Sequence, residues 1–415
     1  HQALRNVVDG GYCVGCGACA VRAPTAVAMV PGRFGMPVAQ IQPEADSEDL
    51  QSAAAVCPFA TPVQDEATLA AHQFSDVRDI DPLLGRIIST HAARVTESDF
   101  RESGSSGGLG TWIPHELVRL GLADAVLHVK PVAASSAADL PLFEYVVSVT
   151  PDEIRAGAKS RYHPVSLQQV LGVVRASDKR FVFVGVPCFI KALRLLALED
   201  SALSARVAFC VGLVCGHLKT RRFAELLAWQ MGVPPPSLLG FDFRRKLDGA
   251  AANRYGVAAV AQADGALKET SSPVHALFGY DWGLGFFKPK ACDFCDDVVA
   301  ELADVTVGDA WLPQYVHDSA GTNVVIVRHP QIQRLLSQAQ RENRVWCDAL
   351  LPAEVVQSQA SGFAHRRQGL AYRLWHAGNQ GRWVPRKRVQ PAAFAGDDGF
   401  QRKHRLRMEL ARESH

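Results

Sequence analysis

The chain has 415 residues, 48% hydrophobic and 21% charged, with a formal net charge of +2. That length exceeds what one core serves and predicts roughly two or three domains, while the near-neutral charge excludes nucleic acid or anionic membrane as a partner selected by bulk electrostatics. No apolar run reaches the ~20 residues of a membrane helix, and His1 to Gly10 lacks the basic-then-apolar pattern of a secretory leader, so the expected location is cytoplasmic.

Ten cysteines in such a chain argue against a disulfide scaffold. The first three, Cys13, Cys16 and Cys19, are spaced C-x2-C-x2-C, which is three quarters of a bacterial ferredoxin run. Small residues between them let the backbone wrap a [4Fe–4S] cluster and aim amide N–H groups at sulfur. Ala23-Pro24 stands where a two-cluster ferredoxin places its fourth cysteine, so a single cluster is expected here, with Cys57 in Val56-Cys57-Pro58 as the local fourth ligand. A structural zinc is the alternative. Arg33 to Ile41 reads as a short β segment turning at Gly35, Glu44 to Ala55 as a helix, and Thr61 to about Leu84 as a polar linker or surface helix.

Residues 86 to 95 read as a strand. The run from Arg101 to Gly110 then places Ser105, Ser106, Gly107 and Gly108 before a helix through Leu120. Glycines allow close approach, hydroxyls donate, and a helix start offers free N–H groups, as a phosphate or pyrophosphate site requires. A flexible loop is the competing reading, since the run is neither a Walker loop nor a clean dinucleotide fingerprint. Asp124 to Val129 is the next strand. Lys159, Ser160, Arg161 and Tyr162 form a cationic knot able to grip phosphate and stack on a flat ring, or simply a solvated loop.

Arg180 to Val186 and Val207 to Val214 are continuous apolar runs, the pattern of parallel strands covered on both faces. Cys188 and Cys215 follow their carboxyl ends, where α/β folds put their chemistry. Thr220 to Met231 is an amphipathic helix, and Phe241 to Lys246 and Arg254 to Ala261 read as a more antiparallel excursion. The aromatic, glycine-rich run Phe278 to Phe287 could wall a flat ligand or pack on the core. Cys292 and Cys295 come next, then strands at Asp304 to Gly308 and Thr322 to Arg328. Cys188, Cys215, Cys292 and Cys295 form a natural second set for a cluster or for zinc. Residues 364 to 388 are basic, which predicts a solvated surface or a face for an acidic partner.

Six motifs occur in order: Cys13-x2-Cys16-Gly17-x-Cys19, Ser105-Ser-Gly-Gly108, Lys159-Ser-Arg-Tyr162, Val186-Pro187-Cys188, Gly212-Leu-x-Cys215-Gly216, and Cys292-x2-Cys295 with Ala303-Asp304-x3-Gly308-Asp309. From about residue 9 to 330 the chain resembles the coenzyme F420 hydrogenase/dehydrogenase beta-subunit family. That family includes 7-hydroxymethyl chlorophyll a reductase, and Ala291 to Pro313 is most similar to bacterial members that accompany exopolysaccharide gene clusters. The resemblance implies FAD and one or two [4Fe–4S] clusters. It gives both cysteine sets to clusters, and Ser105 to Gly108 with Lys159 to Tyr162 to the flavin.

The expected fold is α/β (α+β overall): a small ferredoxin-like iron–sulfur module over 1–75, then a mixed-sheet flavin-binding body over 85–175 and 176–345, with a basic extension over 346–415. The expected function is an oxidoreductase that passes electrons from a ferredoxin-like donor through [4Fe–4S] clusters to FAD and on to a small-molecule acceptor. His217, Lys219 and Asp293, beside presumed ligands, are the candidate proton donors. An electron-transfer subunit of a larger complex and a zinc-stapled binding protein are the rivals. A homo-oligomer is compatible with the sequence.

Overall fold

The apolar runs around Phe183 and Val211 lie side by side and parallel inside a large sheet. A computed structural model describes residues 2–60, 64–132, 141–263 and 265–415. Its strands in chain order are β1 (Val27–Pro31), β2 (Pro37–Ile41), β3 (Ile80–Asp81), β4 (Gly85–Arg86), β5 (Ser89–Val95), β6 (Ala125–Pro131), β7 (Phe143–Ser148), β8 (Phe181–Gly185), β9 (Val207–Leu213), β10 (Leu238–Arg245), β11 (Gly256–Ala263), β12 (Ala266–Pro273), β13 (Val305–Asp309), β14 (Asn323–Val327) and β15 (Val345–Ala349). Eight of them form one mixed sheet in the order β15-β5-β14-β13-β9-β8-β6-β7. The inner strands β13, β9, β8 and β6 are parallel, and antiparallel neighbours flank them on both sides. The fold is therefore α/β with a mixed sheet. The sheet draws strands from both 85–175 and 176–345, and its edge strand β15 spans residue 346.

Alternation along β8 explains why its sequence is apolar throughout. Val182 enters the core formed with Trp112, Ile113 and Leu117 of the helix Leu109–Arg119. Phe181 and Phe183 enter the opposite core, with Phe189, Ile190 and Leu193 of the helix Pro187–Glu199. Both faces are covered, so neither set of alternate positions tolerates charge. The same second core takes in Leu4, Ala18, Leu50 and Val56, which seats the N-terminal cysteine-bearing segment on that face. A three-stranded antiparallel sheet, β10-β11-β12, packs Phe241 and Phe243 against the helix Arg221–Gln230 through Phe223 and Leu227.

Two local expectations are revised. The Arg33 to Ile41 segment is half of a hairpin: β1 pairs with β2, and Phe34 and Gly35 turn the chain at φ 63° and 70°. Of the expected linker or surface helix, residues 61–63 lie outside the described ones. The remainder holds the helix Glu66–Gln73, as the second alternative had it, and the short strand β3, which pairs with β4 just beyond.

The basic tail differs most. Helices Ala360–Arg366 and Gln368–Asn379 run through it, and Arg366 and Arg373 are 1% and 2% exposed. Its cations meet acids of the same chain. Arg388 bonds Glu301 at 2.7 and 2.8 Å and Asp296 at 3.2 Å, and Lys387 lies 3.7 Å from Asp296. Charge counting could not separate a solvated face from an internal clasp, because the matching acids lie about ninety positions earlier. Among the described residues no helix is long and apolar enough to cross a membrane.

Candidate functional site

Cys13, Cys16 and Cys19 lie on a loop and on the first turn of the helix Ala18–Arg22, whose N-cap Gly17 has φ 83°. A side chain at Gly17 would strike the Ser166 hydroxyl, so glycine is what lets this loop press against the body. Cys57 follows the helix Ser47–Ala55, which is capped by the Asp46 carboxylate accepting the Asp49 N–H at 2.7 Å. The four cysteines line one small apolar cavity with Leu4, Val7, Tyr12 and Phe59. Burial raises the Cys16 and Cys19 thiols, and the charges of their cysteine neighbours raise them further. Cys57 is pushed up to about 11, first by burial. The Ala39 N–H donates to Cys13 Sγ at 3.4 Å.

The second set converges from three elements. Cys188 sits on the first turn of Pro187–Glu199, Cys215 follows β9, and Cys292 and Cys295 flank Phe294 at the turn Lys290–Phe294. Burial raises Cys188, and the charges of Cys215, Cys295 and Cys292 raise it further, as does Cys16 of the first set. The two sets therefore adjoin, with Cys188 between them. The Leu218 N–H donates to Cys292 Sγ at 3.3 Å. The Arg366 guanidinium donates to Cys295 Sγ, to the Asp297 carbonyl at 2.8 Å, and to the Cys215 and Gly216 carbonyls at 2.8 and 2.9 Å. All ten cysteines are free thiols. Among the described residues no group of three or more His, Cys, Asp or Glu is arranged to hold a single metal ion.

A cavity of about 420 Å³ opens beside the second set, within the range of small-molecule sites. Ser105, Ser106, Gly108 and all of Lys159 to Tyr162 line it, with Cys215, His217 and Lys219 on another wall. The two loops are bonded to each other: the Ser105 hydroxyl accepts the Ser160 N–H at 2.8 Å. Gly107 does not line the cavity. A side chain there would meet the Ala93 carbonyl at 2.6 Å and the Asn323 backbone nitrogen at 2.8 Å, so the glycine lets the loop lie directly on β5 and β14. Ser106 donates to the Thr322 carbonyl at 3.0 Å, and the Leu109 N–H is held by Asn323 Oδ1 at 3.1 Å. Lys159 adopts φ 91°, and strain of this kind concentrates at functional sites. Its ammonium donates to the Arg244 carbonyl at 3.1 Å.

Arg244 organises the wall that these loops share. Its guanidinium pairs with Asp309 at 2.9 and 3.1 Å, donates to the Tyr162 hydroxyl at 3.2 Å and to the Ser105 carbonyl at 3.4 Å, and lies 4.3 Å from the Tyr255 ring centre. Several buried polar atoms of the lining have no partner among the described residues: Arg161 Nε, His163 Nδ1, His217 Nε2 and Arg244 Nε. Buried donors and acceptors of this kind are costly unless something bonds them.

The three candidate proton donors separate. His217 packs on Trp282 with ring centres 4.5 Å apart, and burial followed by the Lys219 charge holds it well below its ordinary range. Lys219 donates to the Phe286 carbonyl at 2.6 Å, and burial with the nearby Lys288 pushes its pKa down to about 7. Both line the cavity. Asp293 does not: it is buried in an ion pair with Lys288, 3.6 Å from Arg373 Nε and 3.6 Å from His365 Nε2. Sequence reasoning missed Arg244, Tyr255 and His365 as lining residues and Arg366 as a partner of the second set. For Arg244 no signal existed: it alternates with Phe241 and Phe243, a pattern that predicts the solvent face, and its burial comes where the β10–β11 ladder shifts register between Asp242 and Arg245.

Residues 90–172 match the family model described as coenzyme F420 hydrogenase/dehydrogenase, beta subunit N-term, and residues 178–351 match the companion model for the C terminus of the same beta subunit. The chain belongs to the coenzyme F420 hydrogenase/dehydrogenase beta-subunit family. Both descriptions name parts of oxidoreductases. A chain of the xenon-derivatised F420-reducing [NiFe] hydrogenase complex from Methanosarcina barkeri has a similar fold, with a TM-score of 0.52 and 16% identity over 73% of this chain and 97% of that one. No curated protein matches the chain in sequence. Within this family member the N-terminal match carries both cavity loops, and the C-terminal match carries the whole second cysteine set. The first cysteine set and Arg366 lie outside both.

Proposed function

We propose that this beta-subunit family member is an iron–sulfur flavoprotein oxidoreductase. Cys13, Cys16, Cys19 and Cys57 would hold one [4Fe–4S] cluster, and Cys188, Cys215, Cys292 and Cys295 a second. The 420 Å³ cavity would hold FAD. The observation that carries this reading is the contiguity of the three sites: Cys188 packs on the same core as Cys16, Cys19 and Cys57, and Cys215 belongs both to the second set and to the cavity wall. The donor sets suit these groups. Three cysteines of each set are buried and the fourth, Cys13 or Cys188, is half-buried; both sets are free of disulfides, with an N–H aimed at a sulfur of each, and the cavity offers orphaned cationic and imidazole nitrogens to an anionic, hydrogen-bonding ligand. Bound clusters supply one-electron steps, and a bound flavin couples those to two-electron chemistry on an organic acceptor.

The residues of this chain have the remaining tasks. Ser105 and Ser160, bonded to each other, fix the two loops, and Arg244 holds Tyr162 and the Ser105 carbonyl in one arrangement. Trp282 and Tyr162 meet edge to face at 4.8 Å and wall the cavity. Lys219, near neutrality, is the residue best suited to hold and release a proton at its Nζ, and His217, kept neutral, offers a hydrogen bond beside it. Asp293 is assigned to charge balance with Lys288 and Arg373. A ferredoxin-like protein is the proposed electron donor, and the cytoplasm the proposed location. The second reading, an electron-transfer subunit whose acceptor site lies on a partner, is favoured by the family descriptions and by the hydrogenase complex that supplies the similar chain.

The test is an absorption spectrum of anaerobically purified protein with iron, sulfide and flavin quantified. About eight iron and about one FAD per chain are expected from two four-iron clusters and one flavin. Zinc without flavin would overturn the proposal. Acceptor turnover by the isolated chain separates the enzyme from the electron-transfer subunit.

A further inference from the structure

The C-terminal helices supply something neither matched region contains: a guanidinium, that of Arg366, hydrogen-bonded to a sulfur of the second cysteine set. Arg366 is 1% exposed and, unlike Arg388, has no carboxylate among its described bonding partners. Its hydrogen bonds go to one thiol sulfur and to three backbone carbonyls, of Asp297, Cys215 and Gly216. A guanidinium buried this way is strongly unfavourable unless negative charge is brought to it. Cys295 receives the bond, and the charges of Cys215, of Cys292 and, after them, of the Asp297 carboxylate also act on Arg366. At the first set, the described bonds to sulfur come from neutral backbone amides, that of Ala39 among them, and the buried cation that acts on Cys57, Lys191, is itself paired with the Glu66 carboxylate at 3.1 Å.

Reduction adds one electron to a cluster, and a fixed positive charge with a hydrogen bond to a ligand sulfur favours the more negative, reduced form. We infer that Arg366 is a positioning residue that raises the reduction potential of the second site above that of the first, so that electrons entering at the first set run toward the cavity. One electron leaves the first site for each one the second gains. This rests on the two-cluster reading above and adds a direction to it.

The experiment is a redox titration of the full-length, cluster-loaded protein followed by electron paramagnetic resonance, with iron counted in every sample. Arg366→Gln is expected to make reduction of one cluster at least tenfold less favourable, about 59 mV for one electron, while the other midpoint stays put. Arg366→Lys keeps the charge but loses the fork that spans sulfur and carbonyls, and is expected to fall between. Unchanged midpoints in Arg366→Gln at wild-type iron content, or equal shifts of both clusters, would overturn the inference. Should Arg366→Gln fail to load, Arg366→Lys decides: a lowered midpoint for one cluster supports the role, and a wild-type midpoint removes it. Wild-type protein with iron for only one cluster would defeat the two-cluster reading and this inference together, and would be seen before any variant is made.

Discussion

The Ser105 hydroxyl accepts the Ser160 backbone N–H at 2.8 Å, joining two loops that lie 55 positions apart in the chain. One loop opens the helix Leu109–Arg119 and the other carries Lys159 and Arg161. The bond makes a single concave wall out of two sequence motifs.

Replacing Ser105 with Ala removes that bond and leaves the Ser160 N–H to find another partner. The loss is about 1 kcal/mol, which corresponds to roughly fivefold weaker binding at the proposed flavin site. Titration of flavin-stripped protein with FAD, by fluorescence quenching, reads this directly. Equal affinity in the variant would detach the loop bridge from the cofactor site.

Lys219 predicts a pH dependence. Its folded pKa is lowered to about 7 from the ordinary 10.5, first by burial and then by Lys288. Between those values the unfolded chain holds a proton that the folded chain has released, so this group makes stability rise with pH from about 7 toward 10.5. Below 7 both states are protonated and the penalty of the buried charge is felt in full. In Lys219→Met the wild-type rise in melting temperature between pH 7 and pH 10 is smaller. Parallel curves for the two proteins would refute the assignment.

Glu116 anchors the far side of the sheet. Burial alone would raise its pKa, but hydrogen bonds from His115 and Arg119 and the charge of Arg344 outweigh it and hold the carboxylate at about 2, against an ordinary 4.5. For a carboxylate lowered in this way, the contribution is complete above about pH 4.5 and disappears as pH falls toward 2. Glu116→Gln removes the charge that Arg119 and Arg344 share but leaves Arg344 its bond to Glu97 at 3.0 Å, and costs about 2 kcal/mol at pH 7. Urea unfolding measures it, and the gap between variant and wild type closes in acid.

Arg388 ties the C-terminal segment to Glu301 and Asp296. Arg388→Ala leaves two buried carboxylates short of a partner and is expected to cost ~3 kcal/mol. The sharper readout is local: limited proteolysis between residues 380 and 400, and release of iron to a chelator, both become several-fold faster. Unchanged cleavage with lower global stability would mean that the clasp is not what keeps this segment in place.

Much of the sheet is legible because its strands are buried on both faces and therefore spell continuous apolar runs; the runs that predict β8, β9 and β14 end within two residues of the strands themselves. The β1 strand escapes because Val27 to Pro31 offers no alternation and only Val27 is buried. The first cysteine set is legible from spacing alone at Cys13 to Cys19. The second set needs the strand ends, since Cys188 and Cys292 are over a hundred positions apart and only the sheet order brings them together. The tail is least legible. A run of arginines carries no mark of whether its counter-charges are ions in water or Glu301, Asp296 and Cys295 inside the fold.

The contact between Arg366 and Cys295 spans 71 positions. On a ribosome adding about 5–20 residues per second, the cysteine leads its arginine by on the order of ten seconds. During that interval the segments that become β9 and the helix Pro187–Glu199 have already been made, so all four cysteines of the second set precede the helix that brings Arg366 to them. The proposed second cluster would therefore have its whole ligand set synthesised before its buried cation arrives.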